Sequence, residues 1–154
     1  MGDTEAVTTQ PERPQPPVLS ASIVALSLAR RVEGELNAAL AHLDLTVRRL
    51  GLLGHIDQMP GVSFSELARM AGVSVQSVHA TMKSLTAAGL VRDRTAKPGA
   101  ASTIELTAQG RRLLDEAQDV LAEVDERLFG AKANAAGRKL GAALRKSFEF
   151  GAIG

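Results

Sequence analysis

Between Leu45 and Val78 the chain writes the same helix-start signal three times. Thr46, Ser63 and Ser74 are hydroxyl residues suited to cap a helix. Each stands inside an apolar pair, one residue before it and four after: Leu45 with Leu50, Val62 with Leu67, Val73 with Val78. The hydroxyl accepts from an N–H that the first turn leaves unpaired, and the apolar pair closes across that turn. Around Ser63 the signal is complete, because Ser63–Phe64–Ser65–Glu66 forms a capping box. The stops are as regular. Pro60–Gly61 ends the first helix near Met59, Gly72 ends the second after about two turns, and Gly89 ends the third. Starts and stops this close together leave room only for short helices joined by a tight turn, a helix-turn-helix.

The third of these helices, from about Ser74 to Ala88, has two unlike flanks. Gln76, His79, Ala80 and Lys83 follow the i, i+3, i+4, i+7 spacing and share one face. Val78, Met82 and Leu85 lie nearly opposite. The apolar flank is built to dock on a core. The other carries amide, imidazole, methyl and ammonium groups, which suit the edges and phosphates of a DNA major groove. Periodicity alone allows a second reading, an ordinary amphipathic surface helix.

After Gly89 the pattern changes to alternation. Leu90–Arg94 and Ser102–Leu106 read as two strands, with Ile104 and Leu106 inward and Thr103 and Glu105 outward. Thr95–Ala101 connects them through Lys97–Pro98–Gly99, so the pair is a hairpin beside the helix-turn-helix, a wing. Arg92, Arg94 and Lys97 are its cations, placed for phosphate or the minor groove. Residues 46–110 carry seven basic against four acidic side chains, while the whole chain has a net charge of only +1. The positive excess thus sits on the helix-turn-helix and the wing.

Long helices flank this lobe. One is expected over Ser20–Leu43, striped by Ile23, Leu26, Leu36, Leu40 and Leu43. Another runs from Thr107 to about Phe129 with Leu113, Leu114, Ala117, Val120, Leu121, Val124 and Leu128. A last one covers about Ala133 to Phe148, with Leu140, Ala143, Leu144 and Phe148. These stripes are longer than the small lobe can bury. They are expected to pack between two copies of the chain, an intramolecular bundle being the alternative. Residues 1–17, with Pro11, Pro14, Pro16 and Pro17 among polar side chains, read as a disordered tail. The expected division is therefore the tail, a helical dimerisation region at 18–44 and 108–154, and a winged-helix lobe at 45–107. The fold class is mainly α with a small β-hairpin wing.

Composition closes off other classes. There is no Cys, which removes disulfides, thiolate metal sites and thiol redox chemistry. His42, His55 and His79 stand far apart, without the close spacing of zinc ligands. No Gly-rich phosphate loop and no nucleophile beside a base suggests an enzyme or a bound cofactor. No apolar run is long enough for a membrane span, and the polar, acidic beginning lacks a signal-peptide core. A cytoplasmic home is the expectation.

Leu45–Thr46, Ser65–Glu66–Leu67–Ala68, Val73–Ser74, Val78, Leu85, Gly89–Leu90–Val91, Arg94 and Leu106–Thr107–Ala108–Gln109–Gly110 occur in the order seen in MarR-type winged-helix regulators. The chain resembles that family over roughly residues 20–150. The resemblance implies a homodimer built by the terminal helices on double-stranded DNA at a pseudo-palindromic operator. It implies repression, commonly relieved by a small phenolic or aromatic effector bound between the dimer and DNA-binding lobes. On this reading Ser74 and Ser77 hold phosphates, Gln76, His79 and Ala80 face bases, and Lys83 grips phosphate. His42, Arg48, Arg49 and His55 lie where the family's effector pocket falls. One departure stands out. The family's wing carries an Asp-x-Arg before its second strand, and the matching positions here are Pro98 and Ala100 in a wing about two residues shorter. That arginine is not carried over. It leaves a rival reading, a winged-helix module that holds a protein partner and binds DNA weakly or not at all.

Overall fold

The computed structural model describes residues 20–94 and 104–149. The elements run in the order α1 (Ala21–Leu40), α2 (Val47–Gln58), α3 (Phe64–Ala71), α4 (Val75–Ala87), β1 (Val91–Asp93), β2 (Ile104–Leu106), α5 (Ala108–Leu128) and α6 (Ala135–Glu149). The expected tail at 1–17, the wing tip with Lys97, Pro98 and Ala100, and the first residues of the second strand lie outside the described residues.

The three caps read from the sequence, at Thr46, Ser63 and Ser74, are made, and Thr107 supplies a fourth that the sequence reading did not name. Thr46 accepts from the Arg49 N–H, Ser74 from the Ser77 N–H, and Thr107 from the Gly110 N–H. Ser63 accepts from the Glu66 N–H while the Glu66 carboxylate accepts from the Ser63 N–H, the reciprocal box. Gly72 closes α3 at φ +64, where its N–H reaches the Ala68 and Arg69 carbonyls. That left-handed backbone is what a residue without Cβ adopts at no steric cost.

β1 is one residue shorter at each end than the Leu90–Arg94 read from the sequence, and two helix boundaries differ by more. The helix expected to reach Leu43 stops at Leu40, and Ala41–Leu43 tightens into a 3₁₀ turn. Asp44 sits at φ 53 and its N–H bonds the Ala41 carbonyl, which turns the chain toward α2. The final helix begins at Ala135 rather than Ala133. Asn134 is its cap, accepting from the Gly137 N–H at 2.8 Å.

By contact density the chain divides into two compact units, Met1–Val32 and Glu33–Gly154. In the first, α1 leaves Ile23, Val24 and Leu26 well exposed. In the second, α2 packs on α3, α5 and β2, α3 packs on α4, and α4 packs on β1. Leu52, Leu53, Ile56, Leu67, Val78, Leu85, Ile104 and Leu106 are nearly or fully buried in one core. The strands pair antiparallel, Val91 with Leu106, Arg92 with Glu105 and Asp93 with Ile104. The Gly61 N–H adds a bond to the Ile104 carbonyl at 3.2 Å, tying the end of α2 to the wing.

The start of α5 is seated on the residue that ends the α4 turn. The Thr107 N–H donates to the Leu90 carbonyl at 3.0 Å, and its hydroxyl donates to the Gly89 carbonyl at 2.6 Å. A Cβ on Gly110 would fall 2.1 Å from the Leu90 oxygen, so only glycine fits there. Among the described residues no helix is long and apolar enough to cross a membrane.

Candidate nucleic-acid interface

α4 carries out the division of faces expected of it. Val78 and Leu85 are 0 % exposed and Met82 is 4 % exposed, so the apolar flank is spent on the core. Gln76, His79, Ala80 and Lys83 are all exposed on the other side. Ser74 and Ser77 stand at the start of the helix with their hydroxyls 2.9 Å apart, and Ser74 also accepts the Ser77 N–H at 3.1 Å. The two hydroxyls read from the sequence as phosphate ligands are thus already joined in the cap. Thr81 turns inward, its hydroxyl donating to the Ser77 carbonyl.

The fold brings this flank up to the wing. Phe64, His79, Met82, Lys83, Thr86 and Asp93 line one groove of about 490 Å³ between α4 and β1. The His79 ring meets the Phe64 ring with centroids 4.2 Å apart and planes at 73°, an edge-to-face contact. Phe64 entered the sequence reading only as part of the capping box. Its 64, 67, 68, 71 spacing with Leu67, Ala68 and Ala71 was the available signal that it lies on the apolar flank of α3.

The wing cations are less exposed electrically than their count suggests. The Arg92 Nε lies 3.1 Å from Glu105 Oε1, and the Arg94 Nε lies 2.5 Å from the same oxygen. Glu105 is directly opposite Arg92 in the hairpin register. With Asp93 between the two arginines, the described base of the wing holds two positive and two negative side chains. Lys97 falls outside the described residues.

The four residues read as effector ligands are not gathered in one place. Arg49 lines a crevice of about 320 Å³ with Leu43, Asp44, Leu90, Gln109, Arg112, Leu113 and Glu116. Its Nη1 donates to the Asp44 carbonyl at 3.0 Å, while its Nε is buried without a hydrogen-bond partner. His42 lines a different cavity with Val120, Glu123, Arg127 and Lys132, and its Nδ1 donates to the Ala39 carbonyl. Arg48 is exposed and His55 half-buried, and neither lines either cavity. His42 precedes α2, and on α2 Arg48 and His55 share one face two turns apart while Arg49 points about 100° away. Arg112 is the cation that the sequence reading missed beside Arg49. It comes from α5, more than sixty positions away, and no local pattern joins the two. Among the described residues no three His, Asp or Glu side chains are gathered to hold a metal ion.

Comparison with known proteins agrees with this geometry. Residues 43–100 match the MarR family. The HTH-type transcriptional repressor Rv2887 of Mycobacterium tuberculosis is 36% identical over 96 residues, 62% of this chain and 69% of the relative. A crystal structure of the Mycobacterium tuberculosis MarR family protein Rv2887 with DNA superposes with a TM-score of 0.67 at 29% identity, over 84% of this chain and 98% of that one. The same protein with salicylic acid gives a TM-score of 0.66 at 27% identity, over 86% and 98% of the two chains.

Proposed function

This chain belongs to the MarR family, and from that premise we propose that it is a sequence-specific DNA-binding transcriptional repressor. One observation carries the reading. α4 buries its apolar flank completely and presents Gln76, His79, Ala80 and Lys83 to solvent. A flank so composed fits a major groove: Gln76 toward an adenine edge, Ala80 toward a thymine methyl, His79 toward a base, Lys83 toward phosphate. The similar mycobacterial protein solved with DNA supports it. The role is binding rather than catalysis, exercised in the cytoplasm where the DNA lies.

The acting species is a homodimer on a pseudo-palindromic operator. The apolar side chains of Ile23, Val24 and Leu26 on α1, and of Leu144 on α6, are exposed and supply surface for a second copy. Two copies of α4 would then meet successive major grooves about 34 Å apart. Gel shifts with Gln76→Ala, His79→Ala and Lys83→Ala test the interface. Removing either base-facing side chain, Gln76 or His79, is expected to weaken discrimination by about 1–3 kcal/mol. Lys83→Ala is expected to weaken all sequences alike and to flatten the salt dependence. Three variants that leave affinity and salt slope untouched would sink the assignment.

A small anionic aromatic effector is the second part of the reading. The Arg49–Arg112 crevice carries it, because it sets two guanidiniums, one of them paired with Asp44, beside the apolar flanks of Leu43, Leu90 and Leu113, with Glu116 also in its wall. A carboxylate is the group that satisfies a guanidinium donor of this kind. Ala88 and Leu90 also line the crevice, so an occupant touches the end of α4 directly. It shifts DNA binding only as far as it prefers the DNA-released arrangement. Salicylate is expected to raise the melting temperature of the native protein but not of Arg49→Ala or Arg112→Ala. The rival reading, a module for a protein partner, draws on the neutral base of the wing. Random duplex DNA at low salt separates the two, since the repressor binds it with a steep salt slope and the module does not.

A further inference from the structure

The exposed flank of α4 is not uniform. The Gln76 and Lys83 side chains make no hydrogen bond, ion pair or ring contact among the described residues, whereas His79 has its ring held by Phe64 at 4.2 Å. The imidazole itself makes no hydrogen bond or ion pair there. The contact therefore restrains the orientation of the ring while leaving both nitrogens uncommitted. The holder is itself fixed. Phe64 is the first residue of α3, directly after the Ser63–Glu66 box, and is half-buried against the edge of the core. α3 and α4 are joined by the tight Gly72 turn, so the two rings ride on one rigid pair of helices.

We infer that Phe64 is a positioning residue for DNA recognition: it restrains the His79 imidazole in the orientation that meets a base, and so sets discrimination at one base pair per half-site. The inference rests on the repressor reading above. An exposed side chain that is already ordered loses less freedom on binding, so the contact it makes is worth more. The gain appears only where the correct base accepts that one orientation. Phe64 should thus act on specificity and not on the sequence-independent attraction to phosphate.

The experiment starts from a duplex selected by the wild-type protein from a random-sequence pool. Every base pair of that duplex is then substituted, and His79→Ala identifies the pair whose preference depends on His79. Phe64→Leu keeps apolar bulk at the core edge and removes the ring. It is expected to lower preference at that pair about 2- to 10-fold, the worth of one aromatic contact. Binding to random DNA and its salt slope should stay at the wild-type level. Phe64→Tyr, which restores a ring, should return the preference. In the His79→Ala background Phe64→Leu should change nothing further.

Additive losses in the double variant would overturn the inference, as would a Phe64→Leu loss spread evenly over specific and random DNA. A wild-type protein that binds DNA with a steep salt slope yet selects no sequence also overturns it, while leaving DNA binding intact. No DNA binding at any salt would remove both readings together. One readout needs no variant to fold. In wild-type NMR spectra the His79 ring protons should be displaced by the Phe64 ring current, and random-coil positions for them would refute the contact.

Discussion

Leu85 and Leu26 are the same residue on two helices of one chain, and the fold treats them oppositely. Leu85 on α4 is 0 % exposed, and Leu26 on α1 is 55 % exposed. Around Leu85 the sequence supplies everything that closes a core: short capped helices, tight turns and a hairpin, each within reach of the next. Around Leu26 it supplies a long helix and an apolar stripe. The difference teaches where the chain is self-sufficient. Residues between Leu45 and Leu106 build most of the core, closed by Leu40 and by Leu114 and Ala117 of α5, whereas the first turns of α1 leave Ile23, Val24 and Leu26 exposed.

Substitutions can break or sharpen that contrast. Leu85→Ala should cost about 2–5 kcal/mol in denaturant unfolding, because it leaves a cavity in a filled core. A loss near zero would mean that the lobe is not closed as described. Gly110→Ala should come next, at about 1–3 kcal/mol, since the new methyl drives α5 off the Leu90 carbonyl. If it stabilises instead, as alanine does in an open helix, the α4–α5 junction is looser than the geometry states. Ser63→Ala should cost about 1 kcal/mol because the cap is removed.

That last variant also predicts a pH dependence. The Ser63 hydroxyl and N–H both donate to Glu66 and hold its carboxyl below its ordinary value of 4.5. A carboxyl depressed in the folded state adds stability above its ordinary value and loses it as pH falls through the folded one. Wild-type protein should therefore lose the contribution of the box below about pH 4.5. Ser63→Ala should show a shallower acid limb in a series of melts.

Leu26→Ala should be smallest in dilute protein, under about 0.5 kcal/mol, as for any surface change. Its cost should then grow with protein concentration, because a dimer buries what a monomer exposes. An effect independent of concentration would remove α1 from the interface.

Much of the fold was legible before any coordinates. The caps at Thr46, Ser63 and Ser74 were readable because a cap is a contact over three residues. The two flanks of α4 were readable because helical geometry fixes them. The end of α1 and the start of α6 were misjudged by a few residues, since apolar periodicity does not mark Asp44 as a left-handed stop or Asn134 as a cap. The candidate site was half legible. Its exposed residues were named from one helix, whereas Arg49 and His42, read together as effector ligands, line different cavities.

What the chain determined by itself is what neighbours in sequence carry: the capped helix starts at Thr46, Ser63 and Ser74, the glycine stop at Gly72, and which flank of each helix is apolar. Only the tertiary structure decided that Phe64 meets His79, that Glu105 draws in Arg92 and Arg94, and that Arg112 joins Arg49. Those pairings depend on how helices and strands dock, and docking is settled by the shape of a shared core. A one-residue change of strand register would send Glu105 to the other face of the hairpin. No local run of residues encodes that choice, whereas the filled interior around Ile104 and Leu106 enforces it.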